Sequence, residues 1–255
     1  LSNGKVTGNK LSSKELEFHP LKINIRNLEI DVETAGSITL LMQALIFPCI
    51  FGDRLTTIKL IGGTDTKWSS PIDYFSNVFI PQIARYAKIE VNLQKRGYYP
   101  KGGGLVEVRI RPEYNLPNYR DFDEFYKTLK EDTEKIDLVE QGDLVEIRGV
   151  SHCSKDLLNA GVAERQAKAA RFFLKQFNVP VKIRSEYCDT FSTGSGITVW
   201  GVFSPPGRKD FVDNPIIVGA DALGKKGKRS ELVGQEAAKK LIKQIESEAP
   251  FDKYS

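Results

Sequence analysis

The 255-residue chain has little cysteine, histidine or methionine, with three, two and one of these residues respectively. Cys49, Cys153 and Cys188 are odd in number and far apart, which argues against a disulfide framework and against the cysteine spacing of zinc sites. So few cysteines fit a reducing, cytoplasmic setting. Neither His19 nor His152 has an acidic or serine partner at a telling distance in the sequence. No hydrolase triad is therefore predicted, and both histidines are interpreted as structural or solvated.

Long apolar runs are missing as well. The longest, Ile38–Phe51, is broken by Thr39, Gln43 and Pro48, and it is too short to span a bilayer. No membrane partner is therefore expected, and no signal peptide is visible. The chain begins with Leu1 and has its only methionine at position 42. We therefore expect the natural protein to start further upstream.

The composition is otherwise that of a globular protein, with 40% hydrophobic and 27% charged residues and a net charge of +4. This length is enough for one large domain or two modest ones, each with its own core. The small basic excess permits a polyanionic partner without requiring one.

The apolar periodicity of the first half predicts a mixture of helices and strands, and hence an α+β fold. A helix is predicted to begin after the N-cap Ser37, and because it is nearly all apolar we expect it to be buried. The other predicted elements are a strand over 54–61, a helix over 72–87, and a hairpin of strands 89–93 and 106–110 around the glycine-rich segment 96–104.

A polar, charged stretch over 121–142 is interpreted as a boundary, after which a second unit begins. Its apolar stripes and alternations predict both helices and strands. The predicted strands cover 144–149, 181–187, 197–203 and 215–220, and the predicted helices cover 162–177 and 231–245.

Gln43 is a full amide inside the apolar helix, one turn after Thr39. Burying an amide without a partner costs about 1–3 kcal/mol, so Gln43 needs a hydrogen bond. The partner could be a neighbouring backbone group, or Gln43 could lie in a pocket wall and contact a ligand. The backbone partner is the commoner arrangement.

Three further patterns have both a functional and a plain structural interpretation. The glycine pair in 62–65, followed by Pro71 and Tyr74, could bind an anion and stack a base, although an ordinary strand–turn–helix link is commoner. The basic, aromatic and glycine residues of 96–104 could bind phosphates or form a hairpin loop, with neither favoured. The cations of helix 162–177 and of loop 224–229 could follow an RNA backbone, although a solvated face is commoner. The helix cations are Arg165, Lys168, Arg171 and Lys175.

Several of these segments, taken together and in order, resemble one family. The string Arg-Gly-Tyr-Tyr-Pro-Lys-Gly-Gly-Gly at 96–104 is similar to the signature of RNA 3′-terminal phosphate cyclases. The resemblance extends through essentially the whole chain. Its other segments are 34–43 (Thr-Ala-Gly-Ser-Ile-Thr-Leu-Leu-Met-Gln), 62–65 (Gly-Gly-Thr-Asp), 71–74 (Pro-Ile-Asp-Tyr), 162–165 (Val-Ala-Glu-Arg) and 223–229 (Leu-Gly-Lys-Lys-Gly-Lys-Arg).

This resemblance implies an α+β fold in which a large domain of repeated βαβ-type units carries an inserted smaller α/β domain. The large domain would comprise 1–137 plus 248–255, and the insert 138–247. It also implies an enzyme that uses ATP and a divalent metal, Mg²⁺ or Mn²⁺, to convert an RNA 3′-phosphate end to a 2′,3′-cyclic phosphate. The reaction would pass through an adenylylated histidine and an RNA-adenylate, releasing pyrophosphate and AMP.

The resemblance assigns nucleotide contacts to Gln43, Pro71, Tyr74 and Tyr254, and it makes a ligand contact the favoured role of Gln43. The nucleophilic histidine is expected beyond Ser255, and the family's glycine-rich opening is expected before the chain begins. Neither histidine of this chain aligns with the nucleophile, and no residue is assigned as a metal ligand.

Two alternatives remain. One is a non-catalytic, cyclase-like RNA-binding protein of ribosome biogenesis, against which the presence of Gln43 and Pro71 argues. The other is an enolpyruvyl transferase on a similar architecture, which would bind small acidic metabolites and leave the basic helix face as plain surface.

Overall fold

The computed structural model describes residues 1–21, 23, 26–133, 139–205 and 215–252. Within them the chain forms an α+β fold with two four-stranded sheets and a small two-stranded hairpin. The strands are β1 (Lys5–Thr7), β2 (Glu17–His19), β3 (Asn27–Asp31), β4 (Thr56–Gly62), β5 (Ala87–Lys95), β6 (Gly104–Pro112), β7 (Asp143–Ser154), β8 (Val181–Cys188), β9 (Ser195–Ser204) and β10 (Ile216–Leu223). The helices are α1 (Ile38–Ile50), α2 (Ile72–Tyr74), α3 (Ile80–Ile83), α4 (Phe122–Asp132), α5 (Val162–Leu174) and α6 (Ser230–Glu246).

The first sheet has the strand order β3-β4-β6-β5. β3 and β4 are parallel and are joined by α1, whereas β6 is antiparallel to both of its neighbours. The predicted hairpin of β5 and β6 is confirmed. One βαβ unit is therefore present in this sheet, and its repetition along the chain stays a prediction.

α1 begins where the sequence predicts, because the Ser37 side chain accepts a hydrogen bond from the Leu40 amide at 3.3 Å. Its inner face packs into the core of the first sheet around Ile58, Leu60 and Val106. The expected burial of the whole helix is wrong in part, since Leu40 and Phe47 are 53% and 49% exposed. The described elements cover only one side of α1.

The second sheet has the strand order β10-β9-β7-β8. β7 and β8 are parallel and joined through α5, and the other pairs are antiparallel. α5 and α6 pack together on one face, where the predicted stripe of Val233, Ala237 and Leu241 is buried. All these elements lie within 138–247, and the division of the chain into two domains stays a prediction.

The opposite face of the second sheet packs against the helical segment 72–83. This segment consists of α2, a π-helical turn at Phe75–Phe79, and α3. Tyr74 and Val78 from the segment form an apolar cluster with Val150, Trp200 and Val202 from the sheet. The segment thereby joins the two sheets.

α4 lies in the stretch that the sequence analysis interprets as a polar boundary. Asp121 caps it by accepting a hydrogen bond from the Glu124 amide at 2.9 Å. Phe125 is buried against Phe51, with ring centroids 5.5 Å apart. The helix is hard to predict from its charged sequence, because its buried face is the single residue Phe125, which packs against Phe51 and against the nearby Tyr119 and Phe122. Among the described residues, no helix has the length and apolar character to cross a membrane.

Candidate functional site

The motif segments at 34–43, 62–65 and 96–104 meet at one end of the first sheet. The Gly63 amide donates to the Gly36 carbonyl at 2.9 Å, and the Ile38 amide donates to the Gly63 carbonyl at 3.1 Å. The Thr64 amide donates to the Gly97 carbonyl at 2.9 Å. Three segments that are distant in the sequence therefore form one backbone junction. It lies directly after the end of β4.

The glycines at this junction are required by close approach of the backbone. A Cβ on Gly63 would lie 2.3 Å from the Ala35 carbonyl oxygen, and one on Gly97 would lie 2.4 Å from that of Gly62. The backbone amides of Gly63, Thr64 and Gly97 all have partners within the protein. These contacts favour the plain structural interpretation of the glycine motifs, because an anion-binding loop needs free amides.

Gln43 and Pro71 both lie beside this junction. The Thr39 hydroxyl donates to the carbonyl of Ser70 at 2.7 Å, which ties the first turn of α1 to the residue before Pro71. Gln43 follows Thr39 by one turn and is half-buried, whereas Pro71 is buried at the start of α2. The predicted nucleotide contacts of both residues stay predictions.

Tyr74 lies between the two sheets and is 1% exposed. Its hydroxyl donates to Asp252 Oδ1 at 2.5 Å, and the other Asp252 oxygen accepts from the Gly219 amide at 2.6 Å. The ring lies so close to Gly219 that a Cβ there would be 2.9 Å from it. The ring is therefore covered by protein, and its predicted contact with adenine stays a prediction. Tyr254 lies outside the described residues.

A buried arginine gathers three carboxylates next to the junction. Arg96 is 2% exposed. Its NH1 lies 3.3 Å from Asp65 Oδ2, and its NH2 lies 2.8 Å from Asp73 Oδ2 and 2.9 Å from Glu186 Oε2. Asp65, Asp73 and Arg96 come from the first half of the chain and Glu186 from β8, so this cluster spans the two sheets. We call it the Arg96 cluster.

His152 completes the Arg96 cluster. Its Nδ1 lies 2.7 Å from the Tyr98 hydroxyl, and its Nε2 lies 3.3 Å from Asp65 Oδ1. Among the described residues Nε2 makes no hydrogen bond, so the ring is held by the bond between Nδ1 and the Tyr98 hydroxyl. Burial, reinforced by the nearby Arg96 charge, lowers the pKa of His152 to about 3, so the ring is neutral at pH 7.

The Arg96 cluster could not be predicted from the sequence. Asp65 reaches His152 from the other sheet, a neighbour that sequence spacing does not show, and the buried ring agrees with the interpretation of His152 as structural. His19 also has an acidic neighbour, Glu17, at 2.8 Å on an exposed strand. A signal in the sequence was the position of the charged residues, since Arg96 directly precedes Gly97 and Asp65 closes the Gly-Gly-Thr-Asp segment.

Asp65, Asp73 and His152 have side chains of the kind that bind metals, and their potential ligand atoms lie within 4.8 Å of one another. The Arg96 guanidinium, however, contacts both carboxylates, and all of these residues are buried. A divalent ion that acts on phosphates needs open coordination positions and several oxygen ligands. The cluster therefore does not fit a catalytic divalent metal.

The predicted basic stripe on α5 is divided by its neighbours. Arg165 donates to both carboxylate oxygens of Glu231, at 2.8 and 3.0 Å, so its charge is paired. Arg171 instead reaches over the sheet edge to the carbonyl of Ile183. In the loop before α6, Lys228 is paired with Glu236. The stripe therefore does not form one continuous free cationic surface.

Comparison with known proteins gives a consistent result. A sequence profile of the family described as RNA 3′-terminal phosphate cyclase matches residues 1–252. Relatives with that name come from Archaeoglobus fulgidus (39% identical over 254 residues), Pyrococcus furiosus (37% over 257) and Pyrococcus abyssi (36% over 255). These alignments cover 99–100% of this chain and 66% of each relative. The chain thus spans slightly less than two thirds of the length of these relatives.

Proposed function

The chain belongs to the RNA 3′-terminal phosphate cyclase family, and from this we propose that the protein converts an RNA 3′-phosphate end to a 2′,3′-cyclic phosphate, using ATP. The observation that carries the proposal is the convergence of the motif segments 34–43, 62–65 and 96–104 at one end of the first sheet. The hydrogen bond from Thr39 to Ser70 adds the segment that begins at Pro71. Segments that resemble one family in sequence are thus also neighbours in space.

The proposed chemistry splits one difficult substitution into easier ones. A histidine nitrogen attacks the α-phosphorus of ATP and expels pyrophosphate. An oxygen of the RNA 3′-phosphate then attacks the same phosphorus and displaces the histidine. Finally, the neighbouring 2′-hydroxyl attacks the 3′-phosphorus, closes the ring and expels AMP.

Within this proposal, Gln43, Pro71, Tyr74 and Tyr254 contact the nucleotide. His152 does not act as the nucleophile, because it is 0% exposed and its ring is enclosed by Tyr98 and Asp65. His19 also has no place in the mechanism, since it lies on an exposed two-stranded hairpin. The nucleophilic histidine is proposed to lie outside the 255 residues.

A divalent metal, Mg²⁺ or Mn²⁺, belongs to the proposal through the family resemblance and would offset phosphate charge when bound. Asp65, Asp73 and His152 of the Arg96 cluster do not fit such an ion, so no described residue is assigned as a metal ligand. A cytoplasmic setting is also part of the proposal, and the three cysteines are free thiols.

The direct test uses the complete gene product and ATP labelled at the α-phosphate. After incubation with a divalent metal and denaturation, we expect AMP to remain on the protein through an acid-labile, base-stable bond, as expected of a phosphoramidate. Adding RNA with a 3′-phosphate should remove the label and yield a 2′,3′-cyclic end.

The outcomes separate the candidate functions. Absence of label with RNA still bound would contradict the proposal and favour a non-catalytic relative. Protection from heat by a small phosphorylated acid and not by RNA would instead favour an enolpyruvyl transferase.

A further inference from the structure

A groove rich in positive charge lies at the open edge of the second sheet. Its volume is about 480 Å³, and it runs between strands β7 and β8 and the helical segment 72–83. β8 is the last strand in the sheet order, so the groove opens along an edge that no strand of the described residues covers. Its lining includes the four cations Arg148, Arg171, Lys182 and Arg184, with Asn77 and Trp200.

The strand register explains why three of these cations share one face. Arg148 on β7 lies directly opposite Lys182 on β8. Lys182 and Arg184 are two residues apart, so their side chains point to the same face at a separation of about 6.6 Å along the strand. Successive phosphates of a single-stranded nucleic acid have a comparable spacing. The side chains of Arg148, Lys182 and Arg184 are 48, 68 and 60% exposed.

The carboxylates beside the groove leave a positive excess. Glu146 is buried and contacts both Arg148 and Lys182, so one negative charge serves two cations. Glu186 contacts Arg184 and is shared with Arg96, and Asp73 is likewise shared between these two arginines. Arg171 is bonded to a neutral carbonyl. The groove therefore attracts a polyanion, and the open edge leaves room for a chain longer than the groove itself.

We propose that this groove binds the single-stranded RNA upstream of the reacting 3′ end through its phosphates. The inference rests on the proposed function, because RNA is the substrate that function requires. Arg184 links the groove to the predicted nucleotide site. Its NH2 lies 3.9 Å from Oδ1 of Asp73, a residue that stands between Pro71 and Tyr74 in the sequence. RNA in the groove is thereby directed toward the predicted nucleotide contacts. Trp200 is only 4% exposed and forms part of the floor, so binding depends on charge and not on base stacking.

A plainer explanation is that charges on an edge strand prevent sheets from pairing with one another. That role would need cations on β8 alone. Arg148 lies on the inner strand β7, and Arg171 reaches the groove from a helix. Their convergence with Lys182 and Arg184 in one concavity is what a phosphate-binding groove requires.

The test measures the affinity of a short, fluorescently labelled single-stranded RNA with a 3′-phosphate over a range of salt concentrations. The double variant Lys182→Gln/Arg184→Gln keeps one cation on each nearby acid, Arg148 on Glu146 and Arg96 on Glu186. We expect its affinity to fall about tenfold at moderate salt. The slope of log K against log salt should become shallower by about 0.7 for each phosphate that the variant no longer binds.

The matched control is Lys127→Gln/Lys130→Gln, which removes the same charge from exposed positions on α4, the helix that packs against the end of α1. We expect this variant to bind RNA like the wild type. An equal loss of RNA affinity in both variants would contradict the proposal that the groove binds RNA and would show a general effect of net charge. Unchanged binding in the groove variant would overturn that proposal while leaving the proposed function intact. Absence of AMP label on the wild-type protein would overturn the proposed function. The RNA affinities of the two variants would still show whether the groove binds RNA.

Discussion

At the scale of single residues, Gln43 is the position whose role is easiest to test. Its side chain is half-buried beside the tie between Thr39 and Ser70. We expect Gln43→Ala to weaken ATP binding by about 10- to 150-fold, because one hydrogen bond to a charged ligand contributes roughly 1.5–3 kcal/mol. Isothermal titration with ATP measures the change.

The control for this substitution is Gln176→Ala, which removes the same amide from an exposed position after α5. It should leave nucleotide affinity unchanged. Identical ATP affinity in wild type and Gln43→Ala would contradict the assignment of Gln43 to the nucleotide site.

Arg96 is the residue on which the buried charges depend. Arg96→Met leaves Asp65 and Asp73 buried without their cation, so the free energy of unfolding should fall by about 3–5 kcal/mol. Urea unfolding gives this value directly. Arg109→Met, which breaks an exposed pair with Glu107 on the same hairpin, should cost less than about 0.5 kcal/mol. An equal loss of unfolding free energy in both variants would show that the burial of the Arg96 cluster does not increase the contribution of its charge pairs to stability.

At the scale of elements, Ser37 tests how a local signal starts a helix. Its side chain accepts from the Leu40 amide, which would otherwise lack a partner in the first turn of α1. Ser37→Ala should lower the free energy of unfolding by about 1 kcal/mol. Ser37→Asp should retain most of the stability, since aspartate is an equally good cap. A loss in Ser37→Asp as large as in Ser37→Ala would assign the effect to packing instead.

Most elements could be predicted from the sequence because their apolar periodicity is local. The β5–β6 hairpin and the helix α6 are examples, and both are confirmed. α4 could not be predicted, because its composition is polar and its anchor, Phe51, lies far away in the sequence. The exposed side of α1 was also missed, since composition indicates that a helix prefers burial but not how many of its sides are covered.

At the scale of the whole molecule, His152 should make stability depend on pH. The pKa of its ring is about 3 when folded and 6.5 in the absence of burial. Between these values the unfolded chain binds one more proton, so stability rises with pH and is lost as pH falls from 6.5 toward 3. The contribution changes by about 1.4 kcal/mol per pH unit within this range.

Urea unfolding between pH 4 and 7 measures this dependence. Burial raises the pKa of Asp221 to about 6, which acts in the opposite direction, so the difference between wild type and His152→Gln isolates the histidine. That difference should vary with pH, whereas Gln176→Ala, which removes no titratable group from an exposed position, should differ from wild type by a constant amount. A pH-independent difference for His152→Gln would mean that the ring is not buried in its neutral form.

The sequence by itself determined the local features of this protein: the start of α1 at Ser37, the hairpin around 96–104, and the family motifs at 62–65 and 71–74. These depend on caps, turns and periodicity, which act over a few residues. Only the tertiary structure decided the partners of Arg96 and the pKa of His152. The Arg96–Glu186 bond joins residues 90 positions apart, and the Tyr98–His152 bond joins residues 54 apart. Desolvation and Coulomb energy depend on distance in space, which the order of residues does not contain.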